Sequence, residues 1–321
     1  MIGVLLVNLG TPDAPTTKAL RKYLREFLSD PRVVKIPRLL WWLILYGFIL
    51  PFRPQRSAKL YQNIWTKQGS PLKVLSQQLT DKIQQQLDQQ APDTYRVVLG
   101  MRYGNPSIKA ALATLPLANM EKLIIFPLYP QYSATTTASV FDGVAAALQK
   151  SNWLPQLTMI NQYASNPAYI TAIAESIKQY WQQNGRGEKL LFSFHGIPKQ
   201  FISDGDPYEA YCKLTTTQVA QQLDLTADEW QLVFQSRFGK AEWLTPYCDI
   251  TLQGLAQKGY KTIDIICPGF AVDCLETLEE IAIQNKELFI QAGGEKLNYI
   301  PALNDSDPHA NLLANIIANE D

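Results

Sequence analysis

Apolar runs alternate with amphipathic stretches along the chain. Ile2–Val7 is a continuous apolar run that ends at Gly10-Thr11-Pro12, which is typical of a buried parallel strand followed by a loop. Residues 72–90 carry leucine and isoleucine at helical spacing, with glutamine, lysine and aspartate on the opposite face. The alternation of these two patterns predicts an α/β fold in which helices cover parallel sheets.

The same patterns predict the other elements. Strands are predicted at 96–101, 122–127, 156–160, 189–194, 231–235 and 262–267. Helices are predicted at 17–28, 107–115, 167–181, 209–223, 274–292 and 310–318.

An internal repeat divides the chain. Three segments of the first half match three of the second half in the same order: 3–12 with 189–198, 97–104 with 232–239, and 122–133 with 262–274. This order predicts two copies of one α/β unit. We expect an N-terminal domain at 1–155 plus 305–321 and a C-terminal domain at 156–304.

The repeat also predicts where the chemistry lies. His195 ends an apolar run and falls opposite Leu9 of the first copy, whereas Glu276 falls opposite Thr135. The second histidine, His309, lies in a polar, turn-like stretch. Only the second copy has ionisable groups at both strand ends, so we expect one site. It should lie beyond the carboxyl ends of the strands, in the cleft between the domains.

An imidazole and a carboxylate can do two kinds of chemistry. Together they can abstract a proton near neutral pH or bind a divalent first-row metal transiently. Two ligands are too few for a structural metal site. Asp273, Glu276 and Glu280 have helical spacing, which fits either an acidic helix face or carboxylates at a helix N-terminus.

An apolar segment, residues 36–52, is the most unusual stretch. Its apolar core is too short to span a membrane. It is either a buried helix or an exposed apolar lip that faces lipid or an apolar ligand. Arg53 and Arg56 adjoin it and could each grip one carboxylate of a flat apolar ligand, and Tyr61 follows.

Composition narrows the choice of partners. Lys plus Arg and Asp plus Glu both number 29, which argues against nucleic acid. The four cysteines, at 212, 248, 267 and 274, form no C-x-x-C pair and are interpreted as buried reduced thiols more readily than as a zinc or iron–sulfur site. No secretory leader is evident, so we expect a cytoplasmic protein. The sequence also has no dinucleotide-binding or P-loop motif, which is consistent with a reaction that needs neither a dinucleotide nor ATP.

Together these residues resemble a known family. The run LLFSFHGIPKQFISDGDPY at 190–208 is similar almost letter for letter to the signature of ferrochelatases, which insert ferrous iron into a porphyrin. Supporting blocks are LGTP at 9–12, GSPL at 69–72, YPQYSATTT at 129–137, QSRFG at 235–239 and DCLETLEE at 273–280.

The resemblance implies two similar Rossmann-like domains, each a four-stranded parallel sheet flanked by helices, as in class II chelatases. It implies that His195 and Glu276 form the active-site pair, and that Arg53, Arg56 and Ser236 hold propionates. Fe²⁺ is then a substrate, and no permanent cofactor or iron–sulfur cluster is expected. The additional candidate substrate contacts, which could also have ordinary turn or packing roles, are Tyr61, Ser70, Arg102, Tyr103 and Trp243.

Several alternatives stay open at this level. They are a cobalt chelatase of tetrapyrrole synthesis, which fits poorly with two histidines, and a non-catalytic tetrapyrrole or metal carrier. The long apolar lip favours protoporphyrin over coproporphyrin as substrate, and it leaves peripheral membrane contact open. Whether His195 accepts a pyrrole proton or binds iron is also open, and Cys274 stands where animal ferrochelatases have a histidine.

Overall fold

Two parallel sheets organise the protein. The computed structural model describes residues 1–239 and 241–320, and within them the strands form two four-stranded parallel sheets flanked by helices. The predicted α/β fold is therefore confirmed. The chain divides into two compact units, one formed by Met1–Tyr129, Ser133–Gln162 and the chain from Asp305 onward, and the other by Pro130–Tyr132 and Tyr163–Asn304. Residues 156–162, expected in the C-terminal domain, belong to the first unit.

The first unit is built on the apolar runs of the N-terminal half. Its strands are β1 (Ile2–Thr11), β2 (Tyr95–Gly104), β3 (Lys122–Pro127) and β4 (Gln156–Met159), in the spatial order β2-β1-β3-β4. Residues Val4 to Val7 of β1 are fully buried, because β1 has a neighbouring strand on each side and helices cover the sheet.

The helices of the first unit follow the predicted order with additions. They are α1 (Thr17–Leu28), α2 (Arg38–Ile44), a π-helix (Leu45–Ile49), α3 (Leu50–Ile64), α4 (Pro71–Gln90), α5 (Ile108–Leu112), a second π-helix (Ala134–Ala138) and α6 (Ser139–Leu148). Thr16 caps α1 by accepting a hydrogen bond from the Ala19 amide.

The second unit repeats this plan. Its strands are β5 (Lys189–His195), β6 (Trp230–Gln235), β7 (Thr262–Ile266) and β8 (Lys296–Ile300), in the order β6-β5-β7-β8. Its helices are α7 (Pro167–Asn184), α8 (Lys199–Ser203), α9 (Tyr208–Gln222), α10 (Cys248–Gln257), a π-helix (Glu276–Asn285) and α11 (Lys286–Gln291). The two sheets thus have the same strand order, as the internal repeat predicts.

Two further features repeat. A π-helix follows the third strand of each sheet, at the positions where the sequence repeat aligns Thr135 with Glu276. The helix that follows the last strand of each sheet belongs to the other unit. After β4, α7 packs against α9 of the second unit. After β8, α12 (Asp307–Ala318) packs against α4 of the first unit. Lys82 of α4 fastens this last helix through ion pairs to Asp305 at 3.5 Å and Asp307 at 2.9 Å.

The apolar segment 36–52 forms an exposed helical surface. Trp41 and Leu45 anchor it: both are buried, and the Trp41 indole donates to the Leu28 carbonyl oxygen at 2.6 Å. The side chains that stand largely in solvent are Leu39, Leu40, Trp42, Leu43, Tyr46, Phe48 and Phe52, with Leu39 at 85% exposure. The buried-helix interpretation is therefore wrong for most of the segment, and we call these seven side chains the apolar lip. No helix in the described chain has the length and apolar character needed to cross a membrane.

Candidate active site

His195 occupies the carboxyl end of a central strand. β5 lies between β6 and β7, and its last residue, His195, pairs with Gln235 of β6. The His195 ring is half-buried, and its Nδ1 lies 2.7 Å from the Gly196 carbonyl oxygen. A carbonyl oxygen can only accept, so Nδ1 carries the hydrogen and Nε2 keeps the lone pair in the neutral ring. The tautomer therefore leaves Nε2 as a proton acceptor or metal ligand.

Two further hydrogen bonds hold the backbone on either side of this histidine. The Tyr208 hydroxyl donates to the His195 carbonyl oxygen at 3.0 Å, and the Gly196 amide donates to the Gln235 carbonyl oxygen at 2.8 Å. The ring is thus carried on a backbone fixed from two elements, α9 and β6.

Ser236 connects the end of β6 to the π-helix that begins at Glu276. Its backbone is left-handed, with φ of 66°, which turns the chain directly after the strand. In this conformation the Ser236 amide donates to Glu280 Oε1 at 2.7 Å, and the Ser236 hydroxyl donates to the other oxygen, Oε2. Glu280 is therefore held by both polar groups of one residue.

Gln235 is a site residue that the sequence reasoning missed. Its amide nitrogen donates to the Glu276 carbonyl oxygen at 2.8 Å, and its amide oxygen accepts from the Ser193 hydroxyl at 2.7 Å. Gln235 thereby ties the first turn of the π-helix to the strands that carry His195. The sequence did contain a signal for Gln235, because it is a polar residue at the end of an apolar strand. The same signal identified His195.

The π-helix sets the spacing of the acidic residues. Its hydrogen bonds run from residue i to i+5, so its turns are wider than those of an α-helix, and Glu276 and Glu280 fall within about one turn. Such π-helical turns are frequent at functional sites.

His195 and Glu276 both lie close enough to Glu280 for their charges to act on it. Burial raises the pKa of Glu280, the hydrogen bonds from Ser236 and the positive charge of His195 lower it, and the negative charge of Glu276 raises it. Burial is the largest of these effects, so Glu280 keeps its proton to a higher pH than an ordinary glutamate. No group of three or more His, Cys, Asp or Glu side chains in the described residues is arranged to hold a metal ion.

Asp273 lies outside this group. It precedes the π-helix, is buried, and accepts hydrogen bonds from Thr277 at 2.9 Å, from Asn304 at 2.7 Å and from the Tyr299 hydroxyl. These contacts join the start of the π-helix to the chain around β8, so the carboxylate is engaged in structural bonds and does not join Glu276 and Glu280.

Trp243 packs against Gly196, the residue that follows His195. A Cβ added at Gly196 would lie 2.9 Å from the Gln235 carbonyl oxygen and 3.2 Å from Cε3 of the Trp243 ring, so glycine lets both groups approach the backbone closely. The indole is buried, yet its N–H has no hydrogen-bond acceptor among the described residues. A buried donor without an acceptor is costly, and such a donor is suited to a ligand atom.

All four cysteines are buried, as the packing interpretation predicts, and none forms a disulfide. Burial, followed by the charge of Glu276, raises the pKa of the Cys274 thiol well above its usual value. Burial likewise raises the pKa of Cys212 and Cys267. Such burial is typical of cysteines that serve in packing and not as reactive thiols.

The first unit carries the other candidate residues. Arg53, Arg56 and Tyr61 lie on α3, with both arginines exposed and Tyr61 buried. Desolvation by neighbouring protein atoms, and then the positive charge of Arg56, lower the pKa of Arg53. Ser70 precedes the first residue of α4, is buried, and accepts from the Thr11 hydroxyl at 2.8 Å.

Arg102 and Tyr103 are held in a buried network around Asp30. The Arg102 guanidinium and the Tyr103 hydroxyl both donate to Asp30 Oδ2, at 2.6 and 2.7 Å. The Ser139 hydroxyl donates to the same oxygen at 2.6 Å. Burial, followed by the charge of Asp30, raises the pKa of Tyr103. In this structure both candidate residues therefore bind other protein groups.

Comparisons with known proteins agree with the motifs. The family model for ferrochelatase matches residues 1–321. A ferrochelatase of Thioalkalivibrio sulfidiphilus is 51% identical over 317 residues, covering 99% of this chain and 86% of the relative. Ferrochelatase 1 of Shewanella oneidensis is 53% identical over 311 residues, covering 97% of this chain and 93% of the relative.

Solved structures support the fold. SirB from Bacillus subtilis with Fe³⁺ superposes with a TM-score of 0.56 at 9% identity, covering 99% of this chain and 94% of that one. CbiX, described as the terminal enzyme for sirohaem biosynthesis in denitrifying bacteria, superposes with a TM-score of 0.52 at 14% identity, covering 99% and 98%. At these identities the likeness concerns the fold alone. The full-length family match and the high identity to its members show that this chain belongs to the ferrochelatase family.

Proposed function

We propose that this chain inserts ferrous iron into protoporphyrin, with His195 as the acceptor of a pyrrole proton and Glu276 as its partner. The observation that carries the assignment is the grouping of His195, Glu276 and Glu280 at the carboxyl ends of the second sheet. Insertion releases two protons from the porphyrin nitrogens as Fe²⁺ takes their place, so the site must accept protons as well as admit a cation.

The donors and acceptors at this site suit that reaction. Nε2 of His195 holds a lone pair because Nδ1 is engaged with the Gly196 carbonyl oxygen at 2.7 Å. Glu276 supplies negative charge that attracts Fe²⁺ and stabilises the imidazolium formed on protonation. Iron is here a substrate. We propose that no iron–sulfur cluster takes part, because the described residues contain no group of three or more His, Cys, Asp or Glu side chains placed to hold a metal ion.

Arg53 and Arg56 are the proposed propionate ligands. They lie one helical turn apart on α3, and the positive charge of Arg56 lowers the pKa of Arg53. A carboxylate between two like charges relieves their repulsion, which favours an anionic substrate at this position. The two propionates of protoporphyrin match this pair in number.

Loss of either arginine should weaken porphyrin binding. We expect Arg53→Ala and Arg56→Ala each to raise the KM for protoporphyrin by about tenfold, since a charge-assisted hydrogen bond contributes roughly 1.5–3 kcal/mol. The kcat at saturating porphyrin should change little. The measurement is anaerobic metalloporphyrin formation followed by absorbance, with Lys59→Ala, an exposed cation on the same helix, as the control.

The same assay tests the choice of substrate. Protoporphyrin should show a higher kcat/KM than coproporphyrin, because the extra carboxylates of coproporphyrin would have to lie against the apolar lip. A preference for coproporphyrin would overturn the substrate proposal, and an unchanged KM in both arginine variants would overturn the propionate assignment.

The apolar lip is the proposed membrane contact of a cytoplasmic protein. Its side chains form a contiguous exposed apolar segment of the kind that inserts at a bilayer interface, and an apolar porphyrin would partition to the same surface.

Removing two lip side chains should release the protein from neutral vesicles. Trp42→Ser with Leu43→Ser should lower partitioning onto phosphatidylcholine vesicles by roughly a hundredfold or more, given about 1.5 kcal/mol or more for each of the two large apolar side chains. The control is Trp153→Ser with Leu154→Ser, an exposed tryptophan–leucine pair outside the lip. Equal losses in the two pairs, measured by co-sedimentation, would contradict a contact specific to the lip.

A further inference from the structure

A basic cleft lies beside the apolar lip. Its volume is about 520 Å³, and its lining includes Lys18, Arg21, Lys22 and Arg25 of α1 facing Tyr46 and Leu50. The four cations are spaced by three, one and three residues, so they share one face of α1. The cleft therefore has a cationic wall and an apolar wall that continues into the lip.

Two of the four cations have structural partners, and two do not. The Arg21 Nε donates to the Leu50 carbonyl oxygen at 3.1 Å, which fastens the base of the lip to α1. Lys22 forms an ion pair with Asp13 at 3.2 Å. Lys18 and Arg25 have no ion pair within the described part of the chain, and both are exposed. The cleft thus carries uncompensated positive charge next to exposed apolar side chains.

We propose that this cleft binds the phosphate headgroup of an acidic phospholipid while the lip lies among the acyl chains. The inference rests on the membrane contact proposed above and adds its lipid preference. A bilayer presents phosphate directly beside hydrocarbon, which matches the cationic wall and the adjoining lip. An anionic membrane surface attracts each nearby Lys or Arg by about 1 kcal/mol, and this attraction decays within a Debye length.

Co-sedimentation with two kinds of vesicle tests the inference. One kind is phosphatidylcholine alone, and the other contains about a third phosphatidylglycerol, enough to give a negative surface potential. The parent should bind the anionic vesicles more tightly, and Lys18→Gln with Arg25→Gln should reduce that preference by roughly tenfold or more. The matched control, Lys109→Gln with Lys150→Gln, removes the same charge from exposed positions elsewhere in the first unit and should keep the preference. Melting temperatures of both variants establish that they are folded.

The outcomes separate the two proposals. Equal binding of the parent to both vesicles, or an equal loss of preference in the two lysine-containing pairs, would overturn the headgroup site while leaving the lip contact in place. Unchanged vesicle binding by Trp42→Ser with Leu43→Ser would instead overturn the membrane contact itself.

Discussion

Replacing His195 with alanine is expected to lower the kcat of iron insertion by about 10²–10⁴-fold, the range associated with loss of a general base. The reason is positional, because the imidazole stands at the end of β5 with Nε2 left free to accept a proton by the contact of Nδ1 with Gly196. The KM for porphyrin should change little, since the proposed propionate ligands are untouched. Anaerobic turnover with saturating Fe²⁺ and protoporphyrin gives both constants.

Two additional readouts separate proton transfer from other roles of His195. If His195 is a general base, added imidazole should restore part of the kcat of His195→Ala. If His195 instead binds iron, the alanine variant should show a raised KM for Fe²⁺ and recover its kcat at high iron concentration. Full activity in His195→Ala under all conditions would exclude both roles.

Several strands were predictable because they depend on local pattern, and the positions of His195 at the end of a strand and of Glu276 after a strand follow from the same pattern. β1, β3 and β5 coincide with continuous apolar runs, since a strand covered on both faces must be apolar throughout. α3 was missed because Pro51 and Pro54 argue against a helix. In the structure Pro51 lies at the start of the helix, where the backbone N–H has no partner within the helix, and Pro54 lies one turn later. β8 was missed because Asn298 interrupts its apolar pattern.

The connections within the site were not predictable, because they depend on tertiary context. A left-handed serine is unfavourable in isolation, and it occurs at Ser236 where the bonds to Glu280 compensate. The π-helix was predicted as an ordinary helix, since residue spacing does not distinguish the two. The lip was ambiguous for a similar reason: Trp41 and Trp42 are adjacent and chemically identical, yet one is buried and the other exposed.

Asp264 presents the opposite case, an ionisable residue inside a strand that the sequence reasoning left without a role. It is fully buried in β7. Its Oδ2 accepts from the Trp181 indole and from the Gly187 amide, both at 2.7 Å, and its Oδ1 accepts from the Asn298 side-chain amide at 2.8 Å. One carboxylate therefore joins α7, the turn before β5, and the edge strand β8.

Asp264→Ala is expected to lower the free energy of unfolding by about 3–5 kcal/mol, because three N–H donors, two of them buried, would lose their acceptor and each buried donor costs roughly 1–3 kcal/mol. Asp264→Asn should cost less, since its side-chain oxygen still accepts while its amide group faces the remaining donors. The control is Asp249→Ala, which removes a partly exposed carboxylate paired with Arg237 at 2.8 Å and should cost at most about 1 kcal/mol. Urea denaturation followed by circular dichroism gives the free energy of unfolding of the three variants. If Asp264→Ala loses no more of this free energy than Asp249→Ala, the role assigned to the Asp264 carboxylate is wrong.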